Sequence, residues 1–454
     1  MEGRWVVQYA TRDGVVERPV DLSQTRIAVL APAGDGYEEI LGEGFEDGGF
    51  AVHGVPAGPY FLIHGEEDQK AVTGFQDDRD FLQVSRTELG RPDRVLSERP
   101  PEVALDLDGL SPWQKLDTLF VLSPEVSALE LVPVGTSESS DVRVEAGATE
   151  IRGQTFEWTD ALIDPAHGDR SYIFQRSYRD FPVPHTAVSR AVELPELEVA
   201  IGDQNVIAGT LEEVPEDRTF RLSISPGDVV GAIRMSHPSV RSAWTFVYLE
   251  AQPRWGIAGK VCATPFVTYD GIFGPDGTVE AVDADLPYGD PFPPDWDRFL
   301  VVETHAFDFD IEENYEPGRY WGHIRRTTAL DRVGDEPLAP LVTAPQAPAI
   351  DGVDGFAGPR GVGETPELTW SPPIVGEPTQ YLVGVYRSFR WVDENGVRWH
   401  DFETLVELYT TETRLVVPGG LLEPGNLYFA TITAWAGGDL DQGSASVVTS
   451  LFEP

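Results

Sequence analysis

The chain has 454 residues, with 76 acidic against 33 basic side chains and a formal net charge of -43. A surface this anionic disfavours nucleic-acid phosphates and acidic lipid headgroups, which need basic patches. Hydrophobic residues are 41% of the chain, enough for several cores; the length suggests about three domains, and no apolar run reaches the roughly eighteen residues of a membrane span.

Cys262 is the single cysteine, which excludes an intrachain disulfide and a multi-thiolate zinc site. Its neighbours Gly259, Val261, Ala263 and Thr264 are small or β-branched, the setting of a packed structural thiol. The opening Met1-Glu2-Gly3-Arg4-Trp5 lacks the basic start and apolar core of a signal peptide.

In chain order, Trp5 to Tyr9 alternate, Asp13-Gly14 turns, and Val15 to Val20 return, which predicts a hairpin. Ile27 to Leu30 and Glu38 to Leu41 follow as strands. Asp47-Gly48-Gly49 and Gly54 to Pro59 then supply turns around Phe50, Val52, Tyr60 and Leu62. These residues, with Gly42-Glu43-Gly44 and Gly54-Val55-Pro56-Ala57-Gly58-Pro59-Tyr60, make residues 1–98 resemble the carboxypeptidase regulatory-like family. The resemblance implies a small prealbumin-type β-sandwich that serves secreted proteins as a non-catalytic accessory.

Residues 89–101 are rich in proline and charge and mark a boundary. Beyond it, residues 99–335 are expected to form a central all-β region of one or two domains. Its short, turn-bounded runs include Ala128 to Val132, Thr149 to Trp158, Ser171 to Arg176, Leu197 to Ile201, Thr219 to Ile224, Val229 to Met235, Ala243 to Leu249 and Phe299 to Ile311. Residues 336–352, with repeated prolines, read as an extended linker.

The last region, 353–454, carries Leu368-Thr369-Trp370-Ser371-Pro372-Pro373, Tyr381 to Arg387, and Leu422-Glu423-Pro424-Gly425-Asn426-Leu427-Tyr428. In that order these resemble strands B, C and F of a fibronectin type III domain. The resemblance implies a core position for Trp370 and a tyrosine corner at Tyr428. It departs from the family in a long hairpin around Asn395-Gly396, which suits a two-residue type I′ turn. Counting outward pairs Asp393 with Arg398, Val392 with Trp399, Trp391 with His400 and Phe389 with Phe402. Both faces of such an arm carry apolar groups, so something is expected to cover it.

For chemistry, period two in Glu303 to Glu313 places Glu303, His305, Phe307 and Phe309 on one face and Asp308, Asp310 and Glu312 on the other. The three carboxylates are the candidate calcium ligands, against the alternative of a solvated acidic face. No EF-hand loop is present, and no other cofactor is expected. Asp106 with Asp108 is a weaker calcium candidate, while His53 and His64 read as packing or surface residues. Gly-x-Ser-x-Gly, His-Glu-x-x-His, Ser-x-x-Lys and phosphate-binding glycine loops are absent. Candidate binding residues are Trp391, Trp399 and His400 in the hairpin, and Trp296 and Trp321 among aromatic, glycine- and proline-rich segments, where exposed rings would take a glycan or a partner's side chains.

The expectation is therefore an acidic, all-β chain of sandwiches that acts as a non-enzymatic binding or structural protein in the extracellular space or cell envelope. Its partner would be a protein or a glycan, and its leader, with or without a lipid anchor, would lie outside this chain. The alternative is a carbohydrate-active hydrolase whose catalytic carboxylates lie in the central region; paired acids distant in sequence leave no local signature.

Overall fold

A computed structural model describes the chain except residues 35, 59, 67–71, 78–80, 138–139, 203–204, 226–230, 241, 256–263, 274–281, 308–321, 335–336, 393–397 and 439. Backbone alone is described for 64–66, 72–77, 81–86, 242, 272–273, 307, 390–392 and 398–400. Cys262 thus lies outside the described residues.

The chain is all-β, and most of its strands join one sheet of 17. In chain order its strands are β1 (Thr25–Ala33), β2 (Gly36–Leu41), β3 (Tyr60–Glu66), β4 (Val72–Asp77), β5 (Thr118–Ser123), β6 (Ala128–Val132), β7 (Ser171–Arg179) and β8 (His185–Leu194). They continue as β9 (Ser242–Pro253), β10 (Thr264–Phe273), β11 (Trp296–Phe307), β12 (Gly322–Ala329), β13 (Gln380–Val392), β14 (Arg398–Thr410), β15 (Leu427–Gly438) and β16 (Asp441–Val448). Their order across the sheet is β2-β1-β3-β4-β14-β13-β15-β16-β12-β11-β9-β10-β8-β7-β5-β6, and Glu212–Glu213 pairs with β8.

Two seams make this sheet continuous. Val72 to Phe75 of β4 run parallel to Val406 to Tyr409 of β14, joining the first region to the last. Ile324 to Thr328 of β12 run antiparallel to Ala445 to Asp441 of β16, joining the centre to the last. Packing follows the same seams: Ala28, Leu30, Phe61 and Ile63 share a buried cluster with Leu405 and Phe429, and Ala243, Ala306 and Ile324 belong to that cluster too. The helical turn at 231–233, where a strand was expected from Val229 to Met235, pushes Ile233 into it, and Val448 N donates to Ser236 O at 2.9 Å. The joint between β8 and β10 is shorter, two residue pairs. Arg176 staples it from β7, donating to Thr268 Oγ1 at 2.6 Å and to Thr118 Oγ1 at 3.2 Å with its guanidinium 4.6 Å from the Phe120 ring.

Smaller sheets complete the layers. Glu2–Thr11 pairs with Gly14–Pro19, Gly49–Ala51 and, in parallel, Phe81–Leu89, and it closes over Leu22, Val29, Phe50 and Leu62. In the centre, Glu102–Asp108 pairs with Ile151–Glu157 and Asn205–Thr210, while Arg218–Ile224 pairs with Val282–Tyr288. Between them lies β5, whose Leu119 and Val121 enter one core and Phe120 and Leu122 the other. Burial on both faces accounts for its unbroken apolar run. The expected strand at Leu197 to Ile201 is reduced to a bridge from Val199 to Ile163.

In the last region, Gln346–Ile350, Glu367–Ser371, Val353–Asp354 and Arg414–Val416 form a four-stranded sheet against β14-β13-β15-β16. Its first strand comes from the proline-rich segment read as a linker: Val342, Thr343 and Ala344 are buried and Ile350 pairs with Leu368. Trp370 is buried with its ring edge-on to Tyr381 at 5.3 Å. Tyr428 is also buried, and its hydroxyl accepts from Glu423 N at 2.8 Å and donates to Glu423 O at 3.4 Å.

The long hairpin differs from expectation by one residue. Val392 pairs with Arg398, Trp391 with Trp399, Arg390 with His400 and Phe389 with Asp401. A bulge displaces the register where Val385↔Val406 gives way to Tyr386↔Thr404, and the Asn395-Gly396 turn itself lies outside the described residues. β4 hydrogen-bonds the edge of β14 at the base of the hairpin, and on the arm Phe389 and Phe402 stay 40% and 41% exposed.

Candidate functional site

Residues directly opposite in antiparallel strands share a face. One row therefore crosses from the centre into the last region: Asp270 of β10, Phe246 of β9, Glu303 of β11, Arg325 of β12, Ser444 of β16 and Trp435 of β15. Beside it run Trp244, His305 and His323. The opposite face of the same strands, with Val247, Leu249, Ala306 and Ile324, is core.

His305 Nε2 lies 3.3 Å from Glu303 Oε1, as two residues apart on a strand allows. Burial raises the Glu303 carboxyl, but the His305 hydrogen bond and the Arg325 charge outweigh it and hold the group below its ordinary range. Glu250, further along β9, has burial dominant: its carboxyl is pushed up to about 7, against the pull of Arg325. His323 sits between two serines, Nδ1 3.2 Å from Ser446 Oγ and Nε2 3.3 Å from Ser444 Oγ, and burial drives it down to about 4. Such a histidine is a poor activator of a serine, because an effective one keeps its second nitrogen on a carboxylate and titrates near neutrality.

Aromatic rings flank the strip on both sides. Trp244, Phe246 and Tyr248 stack on one another at 4.8 and 5.8 Å with interplanar angles of 29° and 13°. Rings stacked this way present edges outward, whereas a sugar stacks on a ring face. Trp244 remains 38% exposed. On the far side Tyr386 stacks on Phe429 at 4.9 Å, and Phe402, 41% exposed, meets both edge-on. Gly384 permits this: a Cβ there would stand 2.5 Å from the Tyr386 hydroxyl.

The residues expected to bind are not gathered here. Trp296 is 4% exposed, stacked on Phe292 at 5.3 Å in the central core, and burial removes it from the accessible rings. Its loop is pinned by Asp290, wholly buried, which accepts two hydrogen bonds from Arg298 at 2.9 Å each and one from Arg218 at 2.7 Å. For Trp391, Trp399 and His400 the strands are described and the side chains are not; Trp321, Asp308, Asp310 and Glu312 lie outside the described residues. Among the described residues no group of three or more His, Cys, Asp or Glu converges to hold a metal. Asp106 and Asp108 both pair with Arg152 instead, and His53 is exposed.

A second surface lies at the edge of the central sandwich. A groove of about 600 Å³ is lined by Glu102, Glu130, Asp141, Glu157, Leu131 and Phe156, among others. Leu131 is 52% exposed, and burial alone raises the Glu130 carboxyl.

His323, Arg325 and Glu250 were not singled out from sequence, because each contributes one polar side chain to an otherwise ordinary strand; Gly443-Ser444-Ala445-Ser446 reads there only as a terminal strand without the closing glycine of a nucleophile motif. The readable signal was Trp244-x-Phe246-x-Tyr248-x-Glu250, alternating with Ala243, Thr245, Val247 and Leu249. No family model matches the chain, and no curated protein matches it. Among the described residues no helix is long and apolar enough to cross a membrane.

Proposed function

We propose that the chain is a non-enzymatic binding or structural protein of the extracellular space or cell envelope. On this reading residues 1–98 are a carboxypeptidase regulatory-like sandwich and residues 353–454 a fibronectin type III-like sandwich. The observation that carries it is the sheet running unbroken from β2 to β6, which fixes all three regions as one scaffold. A surface already ordered before binding loses less freedom on docking. Trp370 against Tyr381 and the return of Tyr428 to Glu423 support the type III reading.

Among the described residues Trp244, Phe389 and Phe402 are the exposed rings of the sheet, and the acidic groove suits cationic side chains. Because the β9 rings offer edges, a protein partner comes before a glycan. The test screens the purified chain against a glycan array, a panel of basic peptides and a polysaccharide turnover panel. Binding without turnover, lost in Trp244→Ala, Phe402→Ala or Glu130→Gln, is the expected result. Turnover abolished by a single carboxylate substitution overturns the reading.

One observation favours the hydrolase as the second reading. Glu250 and Glu303 stand on neighbouring strands, Glu250 opposite Phe299 and Glu303 opposite Phe246, and are its candidate carboxylates. Glu250→Gln and Glu303→Gln would each abolish turnover on that reading.

A further inference from the structure

Among the described residues, one strand pairing carries the sheet from the centre into the last region, Ile324 to Thr328 of β12 with Ala445 to Asp441 of β16. His323 closes its end. Its amide donates to Ser446 Oγ at 2.9 Å, and its ring nitrogens face the Ser446 and Ser444 hydroxyls. From β11 it is faced by Glu303 and His305, and along β12 by Arg325. Its serine partners on β16 carry no charge, nor do Thr433 and Trp435, which pair with them from β15. Asp441 at the other end is already held by Arg326, at 3.1 and 3.2 Å, and by Thr328 Oγ1 at 2.7 Å.

We propose that the β12–β16 seam is a proton-sensitive joint, in which His323 stays neutral while enclosed by β16 and takes up a proton when the strands part, so that acidification loosens the centre from the last region. A charge on His323 in the closed seam would stand near Arg325 and His305. The nearest balancing group, Glu303, is already engaged by His305 and lies opposite Arg325. Once the strands part, water solvates the imidazolium and that penalty disappears. Closed, the imidazole titrates at about 4, chiefly through burial; open, it returns toward the ordinary 6.5. Proton linkage over that interval favours the open seam roughly 25-fold more at pH 5.0 than at pH 7.5.

The experiment is amide hydrogen exchange by mass spectrometry on the full chain at both pH values, corrected for intrinsic exchange. Peptides covering 322–329 and 441–448 should lose roughly 25-fold in protection. His323→Gln keeps a hydrogen-bonding side chain without a titrating ring and should flatten the response to a few-fold at most. Unchanged protection in the unsubstituted chain, or an equal loss in the variant, overturns the proposal. If His323→Gln does not fold, the imidazole titration in the unsubstituted protein decides: protonation confined below pH 5 supports the joint, and ordinary titration near 6.5 overturns it.

Discussion

Arg91 grips both carboxylate oxygens of Asp169, at 2.9 and 3.1 Å, where the first region meets the centre. The Asp169 side chain is wholly buried and also accepts from Asp164 N at 2.8 Å. Arg91 N donates to Glu125 O at 2.7 Å, so the proline- and charge-rich boundary segment is docked onto the centre. Asp169→Ala takes the buried carboxylate from a mostly buried guanidinium that keeps only the exposed Asp93, at 3.2 Å, and should cost about 3 kcal/mol. Urea unfolding measures it, and a loss under about 0.5 kcal/mol, the scale of an exposed pair, would contradict the account.

The Tyr428 hydroxyl satisfies the Glu423 amide in a core position. Tyr428→Phe keeps the ring packing and strands that amide, so it should cost about 1–2 kcal/mol. A neutral substitution would show that water reaches Glu423 N when the hydroxyl is gone.

Gly437, last but one in β15, has φ +90°, and a Cβ there would stand 2.0 Å from Asp441 O. Gly438, next in the same turn, has open space around it and no positive φ. Gly437→Ala should therefore destabilise by about 2 kcal/mol or more, and Gly438→Ala by less than about 0.5. Equal effects at both positions, read from thermal unfolding, would mean the turn is not built this way.

Glu250 and His323 give stability opposite pH dependences. A carboxyl raised by burial to about 7 contributes stability that is complete below its unfolded value of 4.5 and fades as pH rises through 7. The imidazole, depressed to about 4, contributes stability that is present above 6.5 and fades as pH falls. Glu250→Gln should thus gain on the unsubstituted protein between pH 5 and pH 8 by on the order of 3 kcal/mol. Paired urea titrations at the two pH values check the sign, and a variant that gains nothing at pH 8 would place Glu250 in water.

Much of the architecture was legible because strands advertise themselves locally. Ala128–Val132 is the strand its alternation predicts, and Glu303 meets His305 as period two requires. What failed was non-local. The Val385–Tyr386 bulge shifts the hairpin by one residue, and no pattern near Asn395-Gly396 announces it. Trp296 lies among prolines that suggest an exposed loop, yet Asp290 and Arg298 fold that loop inward. The strip on the outer face draws Glu303, Arg325 and Ser444 from three strands, and their adjacency comes from β12 pairing with both β11 and β16. A strand's own sequence does not name its neighbour across a seam.

That the three regions form a single body through one hydrogen-bonded sheet is tested most directly by the distance between its remote parts. Spin labels at Leu41 of β2 and Leu131 of β6, both more than half exposed and on the two outermost strands of the sheet, introduced into a Cys262→Ser background, report it by double electron–electron resonance. A continuous sheet predicts one narrow distance distribution, unchanged on dilution. A broad distribution, as from domains swinging on a linker, would contradict it.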